Sequence, residues 1–154
     1  MKTLVPWSNN RLSRLVKTPK LHFIDTGLLA ALREDELVRL SEDKTRFGAL
    51  LESFVVSELM KLASWSERRM AFSHYRTKDR DEVDVVIEDR RGRIIGIEVK
   101  ASATVKADDF RGLRQLQDAV GDRFVRGLVL HDHDRIIPFG GRLQAAPLAS
   151  LWLM

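Results

Sequence analysis

Glu52, Asp84, Glu98 and Lys100 are the side chains whose types and order could cleave a phosphodiester. Glu98 and Lys100 stand two apart in RIIGIEVK (93–100). Strand positions two apart face one side, so these two project together while Ile97 and Val99 face a core. Asp84 interrupts the β-branched run EVDVVIE (82–88). If the two runs pair, the carboxylates of Asp84 and Glu98 converge on adjacent strands. A hard cation such as Mg²⁺ or Mn²⁺ takes a few such oxygens and keeps several waters. Bound there, it would polarise a phosphodiester and acidify a water. Lys100 would orient or deprotonate that water, or offset charge in the transition state, and Glu52 would add a ligand directly or through water. A plainer reading makes Glu98 and Lys100 a solvated ion pair, worth under about 1 kcal/mol, and puts Asp84 at a sheet edge facing water.

The elements that must hold these residues can be read from periodicity. Residues 46–65 form the clearest helix, with Phe47, Leu50, Leu51, Phe54, Val55, Leu59 and Leu62 on one broad apolar stripe. Glu58 falls inside that stripe and Glu52 on its border. A carboxylate facing a core needs a partner, a proton or a metal. Three strands are predicted next, over 70–77, 82–88 and 93–100, the last two forming a hairpin around Arg90-Arg91-Gly92. A helix over 108–120 stops at Gly121, and strands over 124–130 and 135–139 follow. Ahead of all this, 1–20 reads as irregular or partly helical. Asp25 is a plausible N-cap for a short helix from Leu28, and 34–41 reads as a second short helix. The expected organisation is an accessory segment over 1–45, connector plus short helices, and an α/β domain over 46–154.

A helix Glu, then Asp, then Glu-x-Lys resembles the pattern of the PD-(D/E)XK nuclease superfamily. More closely, LHFIDTGLLAAL (21–32), FGALLESFVVSEL (47–59), HYRTKDRDEVDVVIE (74–88) and IIGIEVKAS (94–102) resemble domain of unknown function 4143, the C-terminal domain of many bacterial and archaeal AAA-type ATPases. The resemblance implies a restriction-endonuclease-like core: a mixed central sheet flanked by helices, behind a mainly helical N-terminal segment. It implies that Asp84 and Glu98 bind divalent metal with the Val99 backbone carbonyl as a further ligand, that Lys100 is the Lys of the motif, and that Glu52 is the helix Glu. Val83 stands where the superfamily name has proline. Glu58, Tyr75, Arg76 and Glu82 lie in the matching stretches as secondary candidates without an assigned role. DNA and an AAA-type ATPase, in cis or in trans, are the implied partners. The chain has no G-x-x-x-x-G-K-[ST] sequence, so it has no nucleotide site of that kind. It is expected to be either a piece of a longer ATPase or a stand-alone copy.

Composition narrows the rest. In 154 residues, 26 Lys and Arg against 22 Asp and Glu give +4, and 44% of residues are hydrophobic. That suits a globular domain. With no cysteine, disulfides, thiolate metal sites and cysteine nucleophiles are excluded. No apolar run approaches a membrane span, so a cytoplasmic protein is the default. Residues 1–20 carry five basic side chains and no acid. They read as a nucleic-acid contact or as a solvated connector. The near-neutral remainder favours a rival function, a nuclease-like fold used as a non-catalytic module that docks a partner or regulates an ATPase. A second basic cluster comprises Arg68, Arg69, Arg76, Lys78, Arg80, Arg90, Arg91 and Arg93. Acids between them neutralise part of its charge. His131-Asp132-His133-Asp134 reads as a polar turn, and Trp7, Trp65 and Trp152 as core or interface anchors.

Overall fold

The computed structural model describes residues 1–7, 18–78 and 81–153. Arg11, Arg14 and Lys17 of the basic segment, and Asp79 and Arg80 of the second cluster, lie outside the described residues. The chain builds β1 (Lys2–Pro6), β2 (Lys20–His22), α1 (Thr26–Leu32), α2 (Leu37–Glu42) and α3 (Lys44–Ser64). It continues with β3 (Met70–Arg76), β4 (Glu82–Asp89), β5 (Ile94–Val99), α4 (Arg111–Val120), β6 (Phe124–His131), β7 (Ile137–Pro138) and β8 (Leu143–Pro147). The strands form one mixed eight-stranded sheet in the order β2-β1-β3-β4-β5-β6-β8-β7. β3, β4 and β5 are antiparallel neighbours, and β6 runs parallel to β5.

Two apolar cores sit on opposite faces of this sheet. On one, Phe110, Leu113 and Leu116 of α4 and the turn before it pack on Val83, Val86, Ile94, Phe124 and Val129. On the other, Val55 and Val56 of α3 pack on Leu4, Val85, Ile97 and Leu130. The period-two alternation of β5 places Ile97 with α3, whereas Gly96 faces α4, where a Cβ would come within 2.6 Å of Leu113. The starts of α1 and α3 are capped by aspartates. Asp25 accepts from the Leu28 N–H at 2.9 Å, and Asp43 accepts from Thr45 and Arg46 at 3.0 Å.

Several expectations are corrected. Lys2–Pro6, read as irregular or helical, is a strand. It pairs parallel with β3 and antiparallel with β2, so the described part of the N-terminal segment adds two strands to the sheet ahead of its short helices. Only Leu4 of this strand is buried, and one apolar position cannot declare a period. The unforeseen β8, LQAAP, is poor in β-formers but lies between β6 and β7, where its ladder partners supply what propensity lacks. The buried face of α3 is Leu51, Ser53, Val55 and Val56, rotated from the expected stripe. Phe47 is left 36% exposed, and Phe54 meets Trp152 of the C-terminal turn at 5.9 Å between rings.

α4 is held against the start of β4 by close backbone approach. A Cβ on Gly112 would overlap the carbonyl oxygen of Glu82. Arg111 and Gln115 both donate to the buried carboxylate of Asp81. Gly112→Ala is therefore expected to destabilise the fold by about 1–3 kcal/mol through overpacking, read by urea denaturation. A stability equal to wild type would mean that α4 does not need this close approach.

Candidate active site

The polar cluster lies where β4 begins and β5 ends. Between Ser73 and Tyr75 on β3, the partner on β4 steps from Val86 to Val83, so β4 carries one extra residue. Such bulges re-aim side chains. The paired register of β4 with β5 stops at Val85↔Ile97, and beyond it Asp84 Oδ2 accepts from the Val99 N–H at 2.9 Å. A side chain thus replaces the main-chain ladder at the point where the strands part. This explains a buried aspartate inside an apolar run, and Asp84 does not face water at a sheet edge.

Glu98, the residue before Val99, is also buried. Its Oε1 lies 3.0 Å from Lys100 Nζ, which is also 3.9 Å from Asp109. Its Oε2 is buried with no hydrogen-bond partner among the described residues. Burial, and next the charge of Asp84, push the Glu98 carboxyl up to about 8. Burial, and next the charge of Glu52, push Asp84 up to about 6, against the pull of Lys20 and the Val99 N–H. Carboxylates raised in this way are short of positive charge.

Part of that charge comes from a residue whose position in the sequence suggested only membership of the basic segment. Lys20 Nζ lies 2.9 Å from Glu52 Oε1 and 3.1 Å from Asp84 Oδ1, and it also pairs with Glu82. Burial alone would lower its pKa. Asp84 and Glu52, with help from Glu82, overcome burial and hold it above the ordinary lysine value. Beside it His22 bonds Ser53 Oγ through Nδ1 at 3.3 Å, with Nε2 3.8 Å from Glu52. Burial and the Lys20 charge keep His22 below the usual histidine range. Lys20 precedes the 21–32 stretch by one residue, but 32 and 64 residues separate it from Glu52 and Asp84. Spacing carried no hint of it.

The other candidates separate cleanly. Glu82 bridges both halves: it pairs with Lys20, and with Glu98, Lys100 and Asp109 it lines a cavity of about 370 Å³. Arg76 reaches Glu82 at 3.9 Å, on the rim. Tyr75 is core, its ring 6.3 Å from that of Trp7. Glu58 is away from the cluster, pairing with Lys61 and accepting from Trp152 Nε1 at 3.3 Å. His131 is not part of a polar turn. It ends β6 fully buried, stacked 5.9 Å from His133.

Among the described residues, no group of three or more His, Asp or Glu side chains is disposed to hold a metal ion. The Lys20 ammonium lies among the carboxylates that would do so. The donor chemistry nonetheless suits a hard cation: Asp84 and Glu98 offer oxygens, and Glu98 Oε2 has no partner of its own among the described residues.

Fold and cluster together define a mixed-sheet α/β domain with a buried carboxylate–lysine site at the parting of two central strands. The model of a domain of unknown function, DUF4143, matches residues 47–151, and the chain belongs to that family. A second domain of unknown function, DUF8612, matches residues 1–44, the segment that contributes Lys20. The chain is 26% identical over 148 residues to the uncharacterized proteins Rv2008c of Mycobacterium tuberculosis and Mb2031c of Mycobacterium bovis. These matches cover 96% of the chain and 31% of each relative, so the chain spans about a third of their length. No helix among the described residues is long and apolar enough to cross a membrane.

Proposed function

We propose that this chain is a divalent-metal-dependent nuclease-like domain that hydrolyses phosphodiester bonds of nucleic acid, DNA foremost, and that it works joined to or beside an AAA-type ATPase. The observation that carries the reading is that Asp84 accepts from the N–H of Val99, which stands between Glu98 and Lys100 in the chain, while Glu98 pairs with Lys100 and keeps an Oε2 with no partner among the described residues. The run α3, β3, β4, β5, α4, β6, antiparallel through β5 and then parallel, supports a restriction-endonuclease-like core. Asp84, Glu98 and the Val99 carbonyl would hold Mg²⁺ or Mn²⁺, with Glu52 beyond them. When bound, the metal supplies Lewis-acid polarisation and a low-pKa water. Glu98 and Asp109 oppose the effect of burial on Lys100 and hold it above the ordinary lysine value, and its ammonium would donate to developing charge on a phosphoryl oxygen.

Asp84→Asn and Lys100→Ala are each expected to lower Mn²⁺-dependent cleavage of plasmid DNA by about a hundredfold or more, with the circular dichroism spectrum retained. Unchanged cleavage by either variant overturns the reading.

Lys20 favours a second reading, the non-catalytic module, because a protein cation already pairs with Asp84 and Glu52. Titration calorimetry with Mn²⁺ on the wild type and on Glu98→Ala separates the two. Heat that vanishes in the variant supports the metal site, and no carboxylate-dependent heat leaves the module.

A further inference from the structure

Five arginines of the second basic cluster are drawn to the end of the sheet opposite the carboxylates. Arg68 and Arg69 lead into β3, and Arg90, Arg91 and Arg93 form the turn between β4 and β5. The β3-β4-β5 meander sets all five around one cavity of about 380 Å³, which has only two acids in its lining. One of these, Asp89, is already used. It accepts from the Arg91 and Arg93 N–H groups at 2.9 Å and pairs with the Arg93 side chain at 2.7 Å. Arg68, Arg69, Arg90 and Arg91 take part in no ion pair among the described residues, and all four are exposed. A second cavity, of about 160 Å³, opens beside the first. It shares Arg68, Asp89 and Arg93 and is floored by Met70, Ile87, Ile95 and Val125, on the sheet face that carries α3.

We propose that this pair of cavities binds a nucleic-acid strand, the arginines taking its phosphates and the apolar floor taking a base. A guanidinium matches phosphate oxygens with two parallel donors, and the cationic side chains here are all arginine. Sequence-independent strand grooves track the backbone with cationic side chains, and here the aliphatic floor has no aromatic ring, so it would take the apolar face of a base by contact alone. Asp84 lies five residues along β4 from Asp89, about 17 Å at strand rise. The strand is thus gripped within a few nucleotides of the carboxylate site. The proposal rests on the nucleic-acid part of the function above and not on metal or hydrolysis.

The test is fluorescence anisotropy of a short labelled single-stranded oligonucleotide in EDTA. Arg90→Glu with Arg91→Glu is expected to weaken binding about tenfold or more, and to flatten the log–log salt slope by about 0.7 for each phosphate that is no longer neutralised. Arg39→Glu with Arg135→Glu, the same charge change elsewhere on the surface, is expected to weaken it far less. Equal weakening by the two pairs, unchanged binding in the first pair, displacement of the strand by inorganic phosphate at constant ionic strength, or equal binding of a poly-glutamate peptide overturns the proposal. Failure of plasmid cleavage with binding intact overturns the hydrolytic reading alone.

Discussion

Lys20→Met is expected to lower the melting temperature in EDTA by about 5–10 °C, and millimolar Mn²⁺ is expected to restore more stability to the variant than to the wild type. The first half follows from charge. Lys20 pairs with Glu52, Glu82 and Asp84, and its side chain and that of Asp84 are only 20% and 9% exposed. Removing one member of a buried ion pair leaves the other uncompensated, at a cost of about 3–5 kcal/mol when burial is complete. Partial exposure of Glu52 and Glu82 brings this to about 2–3 kcal/mol, and a domain of this size loses about 2–4 °C per kcal/mol. The second half follows from competition. An ammonium tethered among carboxylates opposes the entry of a free cation, and the variant removes it. Methionine keeps the length and apolar stem of lysine, so packing is little changed. A variant that melts with the wild type in EDTA would show that the three ion pairs contribute nothing. Equal Mn²⁺ stabilisation of both proteins would show that Lys20 and the metal do not share a site.

Glu98→Gln is expected to remove most of a fall in stability that the wild type shows in EDTA between about pH 5 and pH 8. Glu98 starts from 4.5 and is pushed up to about 8 in the folded chain, and Asp84 moves in the same direction to about 6. Over that window the folded state holds more protons than the unfolded state, so stability decreases as pH rises. It is highest below the unfolded value and is lost up to the folded one. The buried histidines His22, His74 and His131 are lowered, so their contribution runs the other way, stability rising with pH through the ordinary histidine value. Subtracting the variant's curve from the wild type's cancels them. The difference is expected to be on the order of 2–4 kcal/mol across the window, measured by urea denaturation at each pH. Because metal and proton compete for the same oxygens, Mn²⁺ affinity is expected to rise over the same interval. Parallel stability curves for wild type and variant would contradict a Glu98 carboxyl that burial and Asp84 raise despite its pair with Lys100.

Much of the framework was legible along the chain because it is local. The α3 helix, the β4–β5 hairpin around Gly92 and the α4 helix ending at Gly121 each carry their own period and punctuation, and the structure places all three within a few residues of expectation. The side-by-side projection of Glu98 and Lys100 is likewise a property of one strand, and their 3.0 Å approach follows from it. Asp84 stood out because an acid among Val83, Val85, Val86 and Ile87 demands compensation. How that demand is met, by a bulge and a bond from the Val99 N–H, depends on the neighbouring strands.

What local patterning settled, then, is the order of most helices and strands and the presence of an acidic-lysine motif at a strand end. Tertiary structure alone decided the rest. It brought Lys20 from a short edge strand against Glu52 and Asp84, sent Glu58 and Tyr75 elsewhere, and gathered arginines from either side of β3 and β4 around one cavity. Periodicity reports which face of an element is apolar, whereas an ion pair spanning 64 residues depends on where two elements dock, and no repeat in the sequence encodes that.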